Sequence, residues 1–210
     1  MKSNSIGVKS IPEKSRLGRP RAFDADRALD RALAIFWRDG YEGASLPALT
    51  KAMGINRPSL YAAFGNKEAL FRKAVDRYDR GPAGYTYKAL RKPTARGVVA
   101  ALLEGIVALL TKPQNPGGCL MVQGALACGE NASRIRQELA SRRSAGVGAI
   151  RRRFQRAIDE GDLPANADAS GLARFVATVM HGMSVQAASG ASRKELVRVK
   201  DMFLRMWPMV

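Results

Sequence analysis

Residues 45–71, SLPALTKAMGINRPSLYAAFGNKEALF, hold the start and stop signals of three short helices in immediate succession. Ser45 is an N-cap residue, and Pro47 falls in the first turn, where its missing N–H costs little. Leu46, Leu49 and Met53 follow at spacings of three and four, one face of about two helical turns. Gly54 is placed to end that helix in the left-handed conformation. Asn56 opens a second helix, again with a proline, Pro58, in its first turn, and Leu60 and Phe64 point back at the first. Asn66 opens a third, which runs through Leu70, Phe71 and Val75.

Helix, four-residue turn with glycine, helix is the arrangement that sets its second helix into a DNA major groove. The outward positions of that helix decide its use. Arg57, Pro58, Ser59, Tyr61 and Ala62 lie on its N-terminal, solvent side. Small or polar groups there let the backbone approach base edges, to which Arg and Ser can hydrogen-bond. Tyr61 and Lys67 suit phosphate oxygens, and Lys67 stands at a helix N-terminus, where backbone N–H groups favour an anion. A structural helical hairpin with a few exposed polar residues is the competing reading.

Ala28, Ala32 and Phe36, then Gly40-Tyr41, Ser45-Leu46, Ala48-Leu49, Ala52, Gly54, Ser59-Leu60-Tyr61, Phe64 and Lys67-Glu68-Ala69-Leu70 form one dense pattern. By it the segment from about Phe23 to Tyr78 resembles the N-terminal domain of TetR-family transcriptional regulators. The resemblance implies a packing helix over Ala25–Asp39, a second helix over 46–53, a recognition helix over 57–64 and a connector over 67–80. By position it places phosphate contacts on Ser45, Tyr61 and Lys67 and base contacts on Arg57, Pro58 and Ser59. Pro47 departs from the pattern, because a backbone N–H often available to phosphate in the family is absent here.

The division expected is a basic arm over 1–21, a DNA-binding unit over 22–66, the connector over 67–80 and a helical ligand-binding and dimerisation unit over 81–210. In the arm Lys2, Lys9, Lys14, Arg16, Arg19 and Arg21 face Glu13 alone. Gly18-Arg19-Pro20-Arg21 is similar to the short core that lies in narrow A·T-rich minor grooves. Arg19 and Arg21 are therefore candidate DNA contacts, against the alternative of a solubilising tail. The formal charge of +17 points toward nucleic acid, yet residues 1–67 hold 12 Lys+Arg against 6 Asp+Glu, and the larger share of the excess lies beyond them. Charge thus raises general DNA affinity without locating the site. The cluster Arg134, Arg136, Arg142, Arg143, Arg151, Arg152, Arg153 and Arg156 reads as a solvated helix face.

After Tyr78 every apolar repeat has helical spacing, and no alternating strand pattern occurs, so the fold class is all-α. Helices are expected over Pro82–Leu90, from Thr94 through Leu110, and over about 119–127, 133–160, 168–188 and 192–207. The last two are the dimerisation candidates. Ala173, Ala177 and Gly182 allow close approach there, and Phe175, Phe203, Met206 and Trp207 supply apolar area. Gly117–Ala125 is similar to a motif of one TetR subgroup, in a helix flanking a ligand cavity. Met121, Val122, Phe154, Phe175, Met180 and His181 are the candidate cavity walls.

Cys119 and Cys128, nine residues apart, would fall on opposite faces of one helix, separated by roughly 13 Å, too far to bridge. Cys119, Met121, Met180 and His181 could in principle hold a soft ion, but a small buried residue is the plainer reading of Cys119, and no metal or other cofactor is expected. Asp159, Glu160 and Asp162 are expected to face water. No nucleophile with a spaced base stands out, which argues against an enzyme. No apolar run reaches the roughly 20 residues of a membrane helix, and no hydrophobic signal core opens the chain, so a cytoplasmic location is expected. The reading is a homodimeric, ligand-responsive regulator that represses from a palindromic double-stranded DNA operator and is released by an unknown small, apolar or aromatic effector. A metal or thiol-redox sensor acting through Cys119 and a constitutive DNA-binding protein without ligand are the alternatives.

Overall fold

The structure, a computed structural model, describes residues 23–126 and 132–207, so Arg19, Arg21 and Cys128 lie outside the described residues. Asp24 starts α1 (Ala25–Gly43) by accepting hydrogen bonds from the backbone N–H groups of Asp26 and Arg27. Gly40 leaves the helical region at φ 71° and ψ −177°, so the continuous part ends at Asp39 and a single offset turn follows. Ala28, Ala32, Leu33, Phe36 and Trp37 are its buried stripe.

The next three helices are each capped as their sequence demands. Ser45 Oγ accepts from Ala48 N at 3.2 Å to open α2 (Leu46–Met53), and Asn56 Oδ1 accepts from Ser59 N at 2.9 Å to open α3 (Arg57–Phe64). Asn66 Oδ1 accepts from Ala69 N at 2.8 Å to open α4 (Lys67–Arg80). Losing any one of these caps costs about 1 kcal/mol. Gly54 sits at φ 69° and ψ 34°, where a Cβ would add about 1–2 kcal/mol of strain. The turn between α2 and α3 has three residues rather than four, because Gly54 reverses the chain directly after Met53 and Asn56 already serves as the next cap.

The remaining helices are α5 (Tyr85–Ala89), α6 (Ala95–Thr111), α7 (Leu120–Leu126), α8 (Ser133–Asp159), α9 (Ala169–Ala188) and α10 (Arg193–Met206); no strand occurs among the described residues. The helix expected from Pro82 starts only at Tyr85, since Gly81 to Gly84 are spent in turns. One apolar cluster runs through the molecule, from Leu49, Leu60 and Phe71 near the N-terminal helices to Leu102, Leu103, Leu139 and Phe154. A fully buried leucine of this kind contributes about 1.5–3 kcal/mol. α1 packs on α4 and α7, α6 on α9 and α10, and α8 on α9.

Three sequence expectations change here. Phe203 and Trp207 are buried within the subunit, stacked at 5.8 Å with Trp207 also 5.4 Å from Phe154, so they supply core rather than outward area. The arginine run does not form one solvated face. Arg153 is 5 % exposed and donates to the carbonyls of Lys92 and Pro93, while Arg142 pairs with Asp76 and Glu138. Asp162 does more than face water, because its carboxylate accepts from Ala95 N at the start of α6. That bond ties the α8–α9 loop to the opening of α6.

Candidate DNA-reading surface and helical cavity

The caps and the Gly54 turn hold α3 with Leu60 and Phe64 buried, which turns its opposite side outward. Arg57, Pro58, Tyr61 and Ala62 are exposed, Ser59 is half-buried, and Tyr61 retains 46 % of its surface. The four sequence-derived contacts on α3 therefore share its leading, solvent-facing turns. Ser45 is exposed at the head of α2, with its hydroxyl oxygen already accepting the capping bond and its proton free to be donated. Lys67, at the first position of α4, is half-buried with its ammonium 4.7 Å from the centre of the Tyr41 ring. Burial lowers its pKa, partly opposed by Glu42. Behind this surface Arg77 reaches from α4 to Asp26 and Asp30 on α1, fixing the two helices together.

A second feature lies in the C-terminal helices. A cavity of about 360 Å³ is lined by α4, α5, α6, α8 and α9 and the start of α7. Leu90, Leu102, Ile106, Leu109 and Ile150 are among its apolar walls. The space exists because α8 presents Ala145, Gly146, Val147 and Ala149 where longer side chains would fill it. A Cβ at Gly146 would meet no atom within 4 Å. Tyr85 lines the cavity flat against Gly105, where a Cβ would overlap its ring.

Polar groups collect at one part of the wall. Tyr78 donates its hydroxyl to Cys119 Sγ at 3.2 Å. Burial pushes the Cys119 thiol up, against the opposing pull of Tyr78, the backbone N–H groups of Met121 and Val122, and Arg143. Burial likewise lowers the pKa of His181, with Arg143 adding to it, so the imidazole is neutral near pH 7. Arg143 itself donates to the carbonyl of Met121 at 2.6 Å.

Residues 28–74 match the family described as "Bacterial regulatory proteins, tetR family", and residues 93–203 match "Tetracyclin repressor-like, C-terminal domain". The chain belongs to the TetR family. The HTH-type transcriptional repressor ComR of Escherichia coli K12 is 35 % identical over 198 residues, which cover 93 % of this chain and 94 % of that one. The repressor BdcR of the same organism is 32 % identical, covering 85 % of this chain and 86 % of its own. Among solved structures, a cysteine-substituted variant of the TetR-family regulator CifR, complexed with 26-bp double-stranded operator DNA, is 47 % identical with a TM-score of 0.87. It covers 90 % of this chain and 100 % of its own.

Membership makes this chain a DNA-binding transcriptional regulator rather than an enzyme. Of the residues named from sequence for the cavity of this TetR-family protein, Met121, Met180 and His181 lie on its wall. Val122, Phe154 and Phe175 do not. Val122 is buried against other helices, Phe154 is turned to Trp207, and Phe175 faces outward on α9, 5.0 Å from Phe203. All three have the apolarity of a wall residue but point away from the space. Tyr78, Tyr85, Leu102, Ile106 and Arg143 line it and were not among the candidates. Arg143 and Arg153 look alike in the sequence, and nothing local separates a cavity arginine from a carbonyl-bound one.

Cys119, Met121, Met180 and His181 share the cavity, as a soft-ion site would require. Arg143 acts electrostatically on both Cys119 and His181, so a cation beside them would meet repulsion. No group of three or more His, Cys, Asp or Glu placed to hold a metal occurs among the described residues. No helix among them is long and apolar enough to cross a membrane.

Proposed function

We propose that this TetR-family regulator is a repressor that binds a palindromic operator as a homodimer and leaves it when a small molecule fills the helical cavity. The observation that carries this reading is Tyr78. It belongs to α4, whose first turn adjoins the recognition helix, and it also forms cavity wall, bonded to Cys119. A molecule in the cavity therefore presses on the helix that positions the reading head. Arg57, Pro58 and Ser59 would meet base edges and Ser45, Tyr61 and Lys67 phosphates, with Arg19 and Arg21 of the N-terminal arm reaching the adjoining minor groove. The effector would bind in a site walled by Met121, Met180 and His181 together with the tyrosines.

Dimerisation is supported by outward apolar side chains on the last two helices. Phe175 and Val185 on α9 and Val199, Met202 and Met206 on α10 are 37–58 % exposed. A second copy would cover them and set two copies of α3 about one DNA turn apart. The sensor reading through Cys119 has less support, since burial keeps the thiol protonated and protonated thiols are poor nucleophiles and ligands.

Selection of duplexes from a random pool tests the DNA part, and a two-fold symmetric site bound by a dimer is expected. A monomer without sequence preference overturns it. For the effector, fragments that raise the Tm must be the ones that lower operator affinity, because linkage is reciprocal. Stabilising fragments that all leave operator affinity unchanged would remove the ligand response from the account.

A further inference from the structure

The cavity is polarised. Its walls from α6 and Ile150 are aliphatic, whereas Tyr85, His181 and Arg143 bring hydrogen-bonding groups to it from three different helices. Arg143 spends one N–H on the Met121 carbonyl and pairs with no carboxylate among the described residues. Its neighbour Arg142 is by contrast neutralised twice, by Asp76 and Glu138. The Tyr85 hydroxyl donates to nothing among the described residues, although its ring is fixed against Gly105 and burial raises its pKa strongly. Asp79, an acidic residue of the wall, accepts from the Tyr87 hydroxyl, whereas the charge acting on Cys119 and His181 is Arg143.

The remaining N–H groups of Arg143 and the Tyr85 hydroxyl face the cavity without a protein partner among the described residues, and are open to a ligand there. Resting on the effector reading above, we propose that the cavity takes a small apolar molecule carrying a carboxylate, with the acid held by Arg143 and Tyr85 and the hydrocarbon part against Leu102, Ile106 and Ile150. A carboxylate gives the guanidinium a charge-assisted partner and accepts the phenol proton at the same time. Neutral His181 adds an N–H donor without competing for the acid.

Titration calorimetry on the full-length protein tests the assignment with two matched probe pairs, phenylacetate against 2-phenylethanol and hexanoate against 1-hexanol. The acids are expected to bind about tenfold or more tightly than their alcohols. Tyr85→Phe keeps the ring on Gly105, and Arg143→Gln removes the charge. Each should erase most of that preference, by weakening the acids more than the alcohols. Alcohols that bind as well as acids, or a preference that survives both substitutions, overturn the carboxylate assignment. So does the absence of binding by either series. In that event an apolar dye that binds wild type but not Gly146→Leu leaves the cavity reading standing, and a dye indifferent to the plug removes that as well.

Discussion

Trp37 Nε1 donates to the carbonyl of Gly118 at 3.0 Å in a buried contact, and the same indole meets the Tyr78 ring edge-on at 4.8 Å. The residue after Gly118 is Cys119, to which Tyr78 gives its hydroxyl. Helix α1, helix α4 and the entry to α7 are thus closed into one small circuit. It joins the helices that carry the reading head to the wall of the cavity.

Trp37→Phe opens that circuit and leaves the Gly118 carbonyl without its partner. A loss of about 1–3 kcal/mol in unfolding free energy is expected, from the orphaned acceptor and the smaller ring. Urea unfolding at pH 7 measures it. Operator affinity without effector should change less than the response to effector, and equal losses in both would deny the circuit a coupling role.

On the reading head, Arg57→Ala and Tyr61→Ala should differ in kind. Arg57→Ala is expected to relax preference at one base position, at a cost of about 1–3 kcal/mol, and Tyr61→Ala to weaken all sequences alike. Binding titrations on the selected site and on single-position variants separate the two. If neither substitution alters binding, α3 is not the recognition helix.

Gly146→Leu fills the cavity from α8, where a Cβ is unobstructed. The change also gains helix propensity, about 0.5–1 kcal/mol. The expected protein folds, binds operator and no longer responds to effector. An unchanged response in a reporter strain would place the effector elsewhere.

His181 is the chain's one histidine, and burial followed by Arg143 lowers its folded-state pKa below the usual 6.5. Its neutral form is the one the fold accommodates. Above the unfolded pKa both states are neutral and stability is full; as pH falls below about 6.5 the unfolded chain takes the proton first and stability declines. His181→Gln should flatten the fall in urea midpoint between about pH 7 and 5.5. The carboxylates with lowered pKa, Asp39 and Glu195, lie at the surface and titrate at more acid pH. A slope identical to wild type would show that another group is responsible.

Charges placed on the outward apolar faces should separate the subunits. Val185→Lys with Met202→Lys is expected to give a monomer by light scattering, with the helical circular dichroism retained and operator affinity reduced by at least about tenfold, since a single short α3 reads few base pairs. A dimer that persists would move the interface off α9 and α10.

Much of this molecule was legible in the chain because helix ends are local events. Ser45, Asn56, Asn66, Thr94, Asp168 and Ser192 each accept from backbone N–H groups two or three positions ahead, and each is recognisable without knowing what lies across the core. The same holds for the exposed leading turn of α3, whose orientation follows from Leu60 and Phe64. Periodicity assigns residues to a face but does not say which neighbour that face meets. Phe154 and Met180 both stand on buried stripes, yet one is packed on Trp207 and the other borders empty space. Arg143 reaches a cavity while Arg153 ends on the carbonyls of Lys92 and Pro93. Those outcomes depend on contacts between residues far apart along the chain, set by how the helices cross, so the tertiary structure alone decided where the cavity lies and what lines it.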